Sequence, residues 1–214
     1  SADFFLPLTD AGAGAVSVLV PKGVGPATFT RALATATTIG STGLVLKAIG
    51  ANVARSYYDP TPLNYLGYLP EGARTNLLLQ SEDFATTWSF TDTTVTVNAA
   101  TAPDGTATGD QLTEGSAGTA AGDQAITMTA DATATVSMFI KPSNHTWVRI
   151  AFFETATSAN SVTGYFNLST GAVGTPVNGG TATGGALTIK AYPNGWYRCT
   201  VSGAVNNAAT DVTC

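Results

Sequence analysis

An all-β fold is expected for this chain from three observations. Short segments with period-two alternation and β-branched or aromatic residues recur along it, turn signals of Gly, Pro, Asn and Asp separate them, and helical spacing is hard to find. The best helix candidate, residues 27–38, contains Ala and Arg, but its β-branched content and the surrounding Gly and Pro argue against a stable helix. Composition agrees. Charged residues make up 11% of the chain, well below the roughly 25% of ordinary globular proteins. Thr, Ala, Gly, Ser and Asn must then build the surface, and Thr suits the half-buried face of a strand. Regular short strands without intervening helices indicate a sandwich or a barrel, and a sandwich is the expectation here.

The strands are expected at residues 15–20, 44–49, 93–98, 124–129, 135–140, 147–153, 162–168, 187–192 and 196–201. In 135–140, Val136, Met138 and Ile140 point one way while Ser137 and Phe139 point the other. Val148, Ile150 and Phe152 repeat that pattern in the next strand, and these six apolar residues are the expected core. Pro142-Ser143-Asn144 makes a short connection between the two strands, so a hairpin is expected. Asp104-Gly105, Asn178-Gly179-Gly180 and Asn194-Gly195 mark further turns, each offering a residue that tolerates positive φ. Composition shifts near residue 75. Before it lie Pro21, Pro26, Pro60, Pro62 and Pro70 and a cluster of Tyr57, Tyr58, Tyr65 and Tyr68; after it strands arrive at steady spacing. Residues 1–75 are taken as a β-rich N-terminal arm for attachment and assembly, and 76–214 as the main sandwich.

Charge excludes some partners. A net charge of −5 with 9 Lys plus Arg leaves no basic footprint for nucleic acid. No apolar run approaches the ~18 residues of a membrane-spanning helix, and residues 1–10 lack the basic and apolar regions of a secretory signal. Low charge with a mean hydropathy of +0.16 points to apolar surface covered by other subunits, so a homo-oligomer is expected. The cysteines, Cys199 and Cys214, are too few for a disulfide scaffold and read as free thiols, with Cys199 a small core residue.

Catalytic chemistry finds little purchase, and the chain is read as non-enzymatic. The single histidine, His145, sits in a Ser143-Asn144-His145-Thr146 turn and reads as a solvated loop residue. With two scattered cysteines it does not form zinc-ligand spacing, and no metal or other cofactor is expected. Gly12-Ala13-Gly14 precedes a strand, whereas a dinucleotide fingerprint must follow one. Glu71, Glu82, Asp83, Asp104, Asp110, Glu114 and Glu154 include no marked pair of the kind glycoside hydrolysis needs. Trp88, Trp147 and Trp196 are expected to pack in the core or to stack on sugar rings. Trp147 is the candidate for stacking. Alternation puts it on the face opposite Val148, Ile150 and Phe152, with Arg149 as a hydrogen-bonding neighbour and Phe153 beyond.

The stretch Gly67-Tyr68-Leu69-Pro70-Glu71-Gly72-Ala73-Arg74-Thr75-Asn76-Leu77-Leu78-Leu79-Gln80-Ser81-Glu82-Asp83-Phe84 resembles a segment of phage structural proteins of the head-fibre and tail-fibre type. Upstream, Ala27-Thr28-Phe29-Thr30-Arg31 and residues 55–60 resemble the lead-in of those proteins. Downstream, residues 137–142, Tyr165-Phe166-Asn167-Leu168-Ser169-Thr170-Gly171 and Asn194-Gly195-Trp196-Tyr197-Arg198-Cys199 resemble successive strands of their sandwich, so the likeness spans most of 27–202. Residues 76–88 and 136–141 are similar, more loosely, to jelly-roll carbohydrate-binding modules.

What the resemblance implies is a jelly-roll sandwich on a virion surface: a fibre, spike or capsid decoration that contacts other virion proteins and attaches to host glycan. A trimer is favoured by analogy with fibres. The alternative is a carbohydrate-binding adhesin module not restricted to a virion. A glycan depolymerase is disfavoured, because no solenoid repeat is present. The chain's end at Asp211-Val212-Thr213-Cys214 lacks the further strand the resembling proteins carry. The closing strand is therefore expected from a longer chain, a neighbouring subunit or residues 15–20.

Overall fold

The computed structural model describes residues 36–69, 75–116, 120–206 and 209–213. The expected strand at 15–20, most of the 27–38 stretch, and Cys214 lie outside them. The chain divides into two compact units, Ser1–Ala73 and Arg74–Cys214.

In the first unit, β1 (Ala36–Ile39) pairs antiparallel with β2 (Val45–Ile49), and β3 (Ser56–Tyr58) with β4 (Tyr65–Tyr68). Only β2 was expected. Strand β1 falls where the β-branched run Thr37-Thr38-Ile39 disfavours helix. The tyrosine cluster supplies the β3–β4 pair, in which Tyr58 lies opposite Tyr65 with ring centroids 5.2 Å apart. Arg55 ties the unit together, donating to the carbonyls of Thr37 and Leu69.

The second unit contains the remaining strands: β5 (Ser89–Thr91), β6 (Thr93–Ala100), β7 (Gly109–Glu114), β8 (Ala121–Thr127), β9 (Ala134–Ile140), β10 (Trp147–Glu154), β11 (Ser161–Asn167), β12 (Ala172–Val173), β13 (Val177–Gly179), β14 (Thr183–Ala191), β15 (Tyr197–Ala204) and β16 (Ala209–Thr213). The larger sheet has the order β12-β11-β10-β16-β8-β5, with β13 also on β11; the smaller has the order β14-β15-β9; β6 and β7 form a separate hairpin. Every pairing is antiparallel. The β14–β15 hairpin turns at Asn194 (φ 62°) and Gly195 (φ 79°), the left-handed positions that this dipeptide supplies cheaply.

The two sheets enclose one core. Ile150 and Phe152 of β10, Val162 and Phe166 of β11, and Cys199 and Val201 of β15 are fully buried, joined by Val136, Met128, Leu168, Ala182 and Val205. Each large apolar side chain buried here contributes about 1.5–3 kcal/mol. Val136, Ile150 and Phe152 lie in this core, and Met138, Ile140 and Val148 pack against it, as alternation predicted. Close approach of the sheets depends on two glycines. A Cβ at Gly164 would stand 2.5 Å from Leu187 Cδ2 and 2.8 Å from Val201 Cγ2, and one at Gly203 would stand 2.9 Å from Val162 Cγ2.

Two expectations are corrected. Strands β9 and β10 do not form a hairpin: β9 pairs with β15 in the smaller sheet and β10 with β11 in the larger. Residues 141–146 therefore arch from one sheet to the other, and the apolar faces of the two strands meet across the core. Nor is the closing position empty. Ala209–Thr213, unrecognised in the sequence, forms β16 and pairs with both β10 and β8. The chain's last strands thus return beside its earlier ones, β15 against β9 and β16 between β8 and β10. The fold is an all-β sandwich of antiparallel sheets.

Candidate functional site: an open aromatic face on the larger sheet

The outer face of the larger sheet at β10 and β11 follows from strand alternation. Because Ile150 and Phe152 are committed to the core, Trp147, Arg149, Ala151 and Phe153 must point away from it. On β11, burial of Val162 and Phe166 turns Ser161, Thr163, Tyr165 and Asn167 the same way. Register decides which of these meet: Trp147 lies opposite Asn167, Arg149 opposite Tyr165, and Ala151 opposite Thr163.

Arg149 and Tyr165 are therefore direct cross-strand neighbours, with Cβ atoms about 4.5–5.5 Å apart by pair geometry, while Trp147 and Tyr165 are diagonal neighbours, within reach of large rings. Trp147 is 54% exposed and Tyr165 42%. Arg149 is exposed as well. Among the described residues neither ring stacks on another aromatic, and no side chain or carbonyl pairs with Arg149. None of the outward positions on either strand carries a carboxylate. The open patch ends at Ala151 and Thr163, both buried, and Asn167 is occupied locally, its Oδ1 accepting from the Ser169 and Thr170 amides and the Ser169 hydroxyl.

Of the residues proposed from sequence, Trp147 and Arg149 thus share one exposed face, and the structure adds Tyr165. Alternation in 162–168 already turns Tyr165 outward, but nothing in the sequence pairs it with Arg149, because the partner of β10 is a tertiary fact. The other two tryptophans serve packing. Trp88 is buried against Phe84, ring centroids 4.9 Å apart, and buried Trp196 donates from Nε1 to the Thr101 carbonyl at 2.9 Å.

The remaining polar groups hold the scaffold. His145, largely exposed in the arch before β10, places Nε2 2.9 Å from Glu114 Oε2 on β7. Buried Glu154 accepts from Asn160 Nδ2 and the Asn206 amide, each at 2.9 Å. Asp110 accepts from the Phe84 and Asn98 amides, and Asp83 and Asp104 bind amides within their own turns. Among the described residues no three His, Cys, Asp or Glu side chains gather as a metal site. Cys199 is fully buried, and burial pushes its thiol from 9.0 up to about 12.

No family model and no curated protein matches the chain.

Proposed function

We propose that the chain is a non-catalytic structural protein of a virion surface, a jelly-roll-type module that assembles as a homo-oligomer and attaches to host glycan through the Trp147–Arg149–Tyr165 face. The observation that carries the glycan part is the exposure of Trp147 and Tyr165 beside Arg149, which has no partner among the described residues, on a face whose other side is the core. Large aromatic rings are normally buried, where they contribute most. An indole and a phenol left open beside a guanidinium offer apolar planes for the C–H faces of a sugar and donors for its oxygens. The virion setting rests on the resemblance of residues 67–84 to fibre-type proteins and on the low charge of the surface. Residues 1–75 are assigned to assembly in this reading.

A glycan array probed with the full chain and with Trp147→Ala tests it. The wild type binds a defined subset of glycans and Trp147→Ala loses ~10-fold or more, the scale of one ring's stacking. Equal glycan affinity in both proteins rejects the face as a sugar site. A change in subunit number in Trp147→Ala, with saccharide binding unaltered, would instead make this face a contact between copies.

A further inference from the structure

We propose that the saccharide taken by this face is acidic, a carboxylate-bearing sugar, with Arg149 as its anion-binding residue. The inference rests on the glycan reading above and adds the ligand class. Its starting point is how sparingly the chain uses cations, 9 Lys plus Arg in 214 residues. The arginines among the described residues are Arg55, Arg149 and Arg198. Arg55 donates to the Thr37 and Leu69 carbonyls. Arg198 lies 6.0 Å from the Phe139 ring centroid and donates to Ser137 Oγ. Arg149 alone of these has neither a ring nor an acceptor among the described residues.

Its surroundings explain what it fits. The guanidinium is a planar fork of donors that matches a carboxylate through two parallel hydrogen bonds. Tyr165 lies directly across the strand pair and Trp147 two residues along the same strand, about 6.8 Å by strand rise. A sugar ring resting on either aromatic therefore brings a substituent carboxylate to the guanidinium. No outward position of β10 or β11 is acidic, so neither strand sets a carboxylate directly beside the cation. Net charge works the other way. At −5 the protein as a whole repels polyanions, so a preference for an acidic sugar has to arise locally.

The experiment compares binding of the full chain to a polyuronic acid, to the same polymer with its carboxyl groups reduced to alcohols, and to a sulfated polysaccharide. The polyuronate is expected to bind ~10-fold or more tighter than its reduced form, the scale of a charge-assisted hydrogen bond, and more tightly than the sulfated polymer. Arg149→Gln, at an exposed position, should lose the preference, binding the acidic and the reduced polymer with equal affinity. Arg149→Lys should recover only part of it, since a point charge lacks the fork. Equal affinity for the acidic and reduced polymers overturns the acidic class while leaving the glycan reading intact. A preference that survives Arg149→Gln, or stronger binding of the sulfated polymer, overturns the role of Arg149. Binding to none of the three and to no saccharide on the array removes the glycan reading and this one with it.

Discussion

A single methyl group at position 164 tests the sandwich core. Gly164 lies in β11 facing the smaller sheet, and its φ is outside the left-handed region, so its backbone accepts alanine without strain. On the unfolded side the substitution is favourable: alanine has less chain entropy to lose than glycine, worth about 0.4–1 kcal/mol. Packing opposes it. The new Cβ would stand 2.5 Å from Leu187 Cδ2, 2.8 Å from Val201 Cγ2 and 3.1 Å from Phe166 Cε2, where carbon atoms prefer about 3.5–4.0 Å. Leu187 is only partly buried and has room to turn, but Val201 and Phe166 are fully buried and cannot yield without moving a sheet. Overpacking of this kind costs about 1–3 kcal/mol. With two of the three neighbours fully buried, the cost falls in the upper part of that range, about 2–3 kcal/mol, and the net destabilisation is about 1–2.6 kcal/mol. Trp88, Trp147 and Trp196 all belong to this unit, so urea unfolding followed by tryptophan fluorescence reads it directly. The midpoint should fall with the slope unchanged. Adding Leu187→Ala should cost less in Gly164→Ala than in the wild type, because the shortened side chain relieves one of the clashes. A neutral or stabilising Gly164→Ala would refute the close approach of β11 to β14 and β15.

Two further outcomes follow from particular side chains. Buried Gln124 accepts from the Leu79 amide and donates to the Leu79 carbonyl and to Thr87 Oγ, clamping the loop before β5; Gln124→Ala should cost about 1–3 kcal/mol and speed hydrogen exchange at the Leu79 amide, and unchanged exchange there would count against the clamp. Burial raises the Cys199 thiol to about 12, above its value of 9.0 in the unfolded chain, so the stability tied to the neutral thiol is fully present below pH 9.0, declines as pH rises and is lost through about 12. Cys199→Ala should remove that part of the alkaline loss, and identical pH profiles of denaturant stability for the two proteins would reject the assignment.

Much of the sandwich is legible in the residues themselves. Strands with a strong apolar rhythm and turn residues at their ends, such as β9, β10, β11 and β15, were placed to within a few positions. Among the elements that were missed, β12 and β13 are two and three residues long, and β16 has a sequence, Ala-Thr-Asp-Val-Thr, whose place is set by partners on both sides. Short strands of this kind are stabilised by the sheet they join rather than by local preference.

Alternation by itself determined which side chains face inward and which outward, because successive Cβ atoms on any strand point to opposite faces whatever that strand pairs with. That was enough to turn Ile150 and Phe152 into the core and to put Trp147 and Arg149 on one face before any pairing was known. It could not distinguish a hairpin from an arch. Val136-Met138-Ile140 and Val148-Ile150-Phe152 show the same rhythm whether the strands lie side by side or face each other across a core, and Pro142-Ser143-Asn144 suits either connection. The choice rests on burial summed over both sheets: facing one another, the two apolar rows are sealed between β11 and β15, which one hairpin alone cannot provide. The same tertiary choice gave β10 the partner β11 and the register that sets Tyr165 against Arg149. The tryptophan and the arginine of the candidate site were therefore written locally, while the tyrosine that completes it was contributed by non-local pairing, which no stretch of sequence encodes on its own.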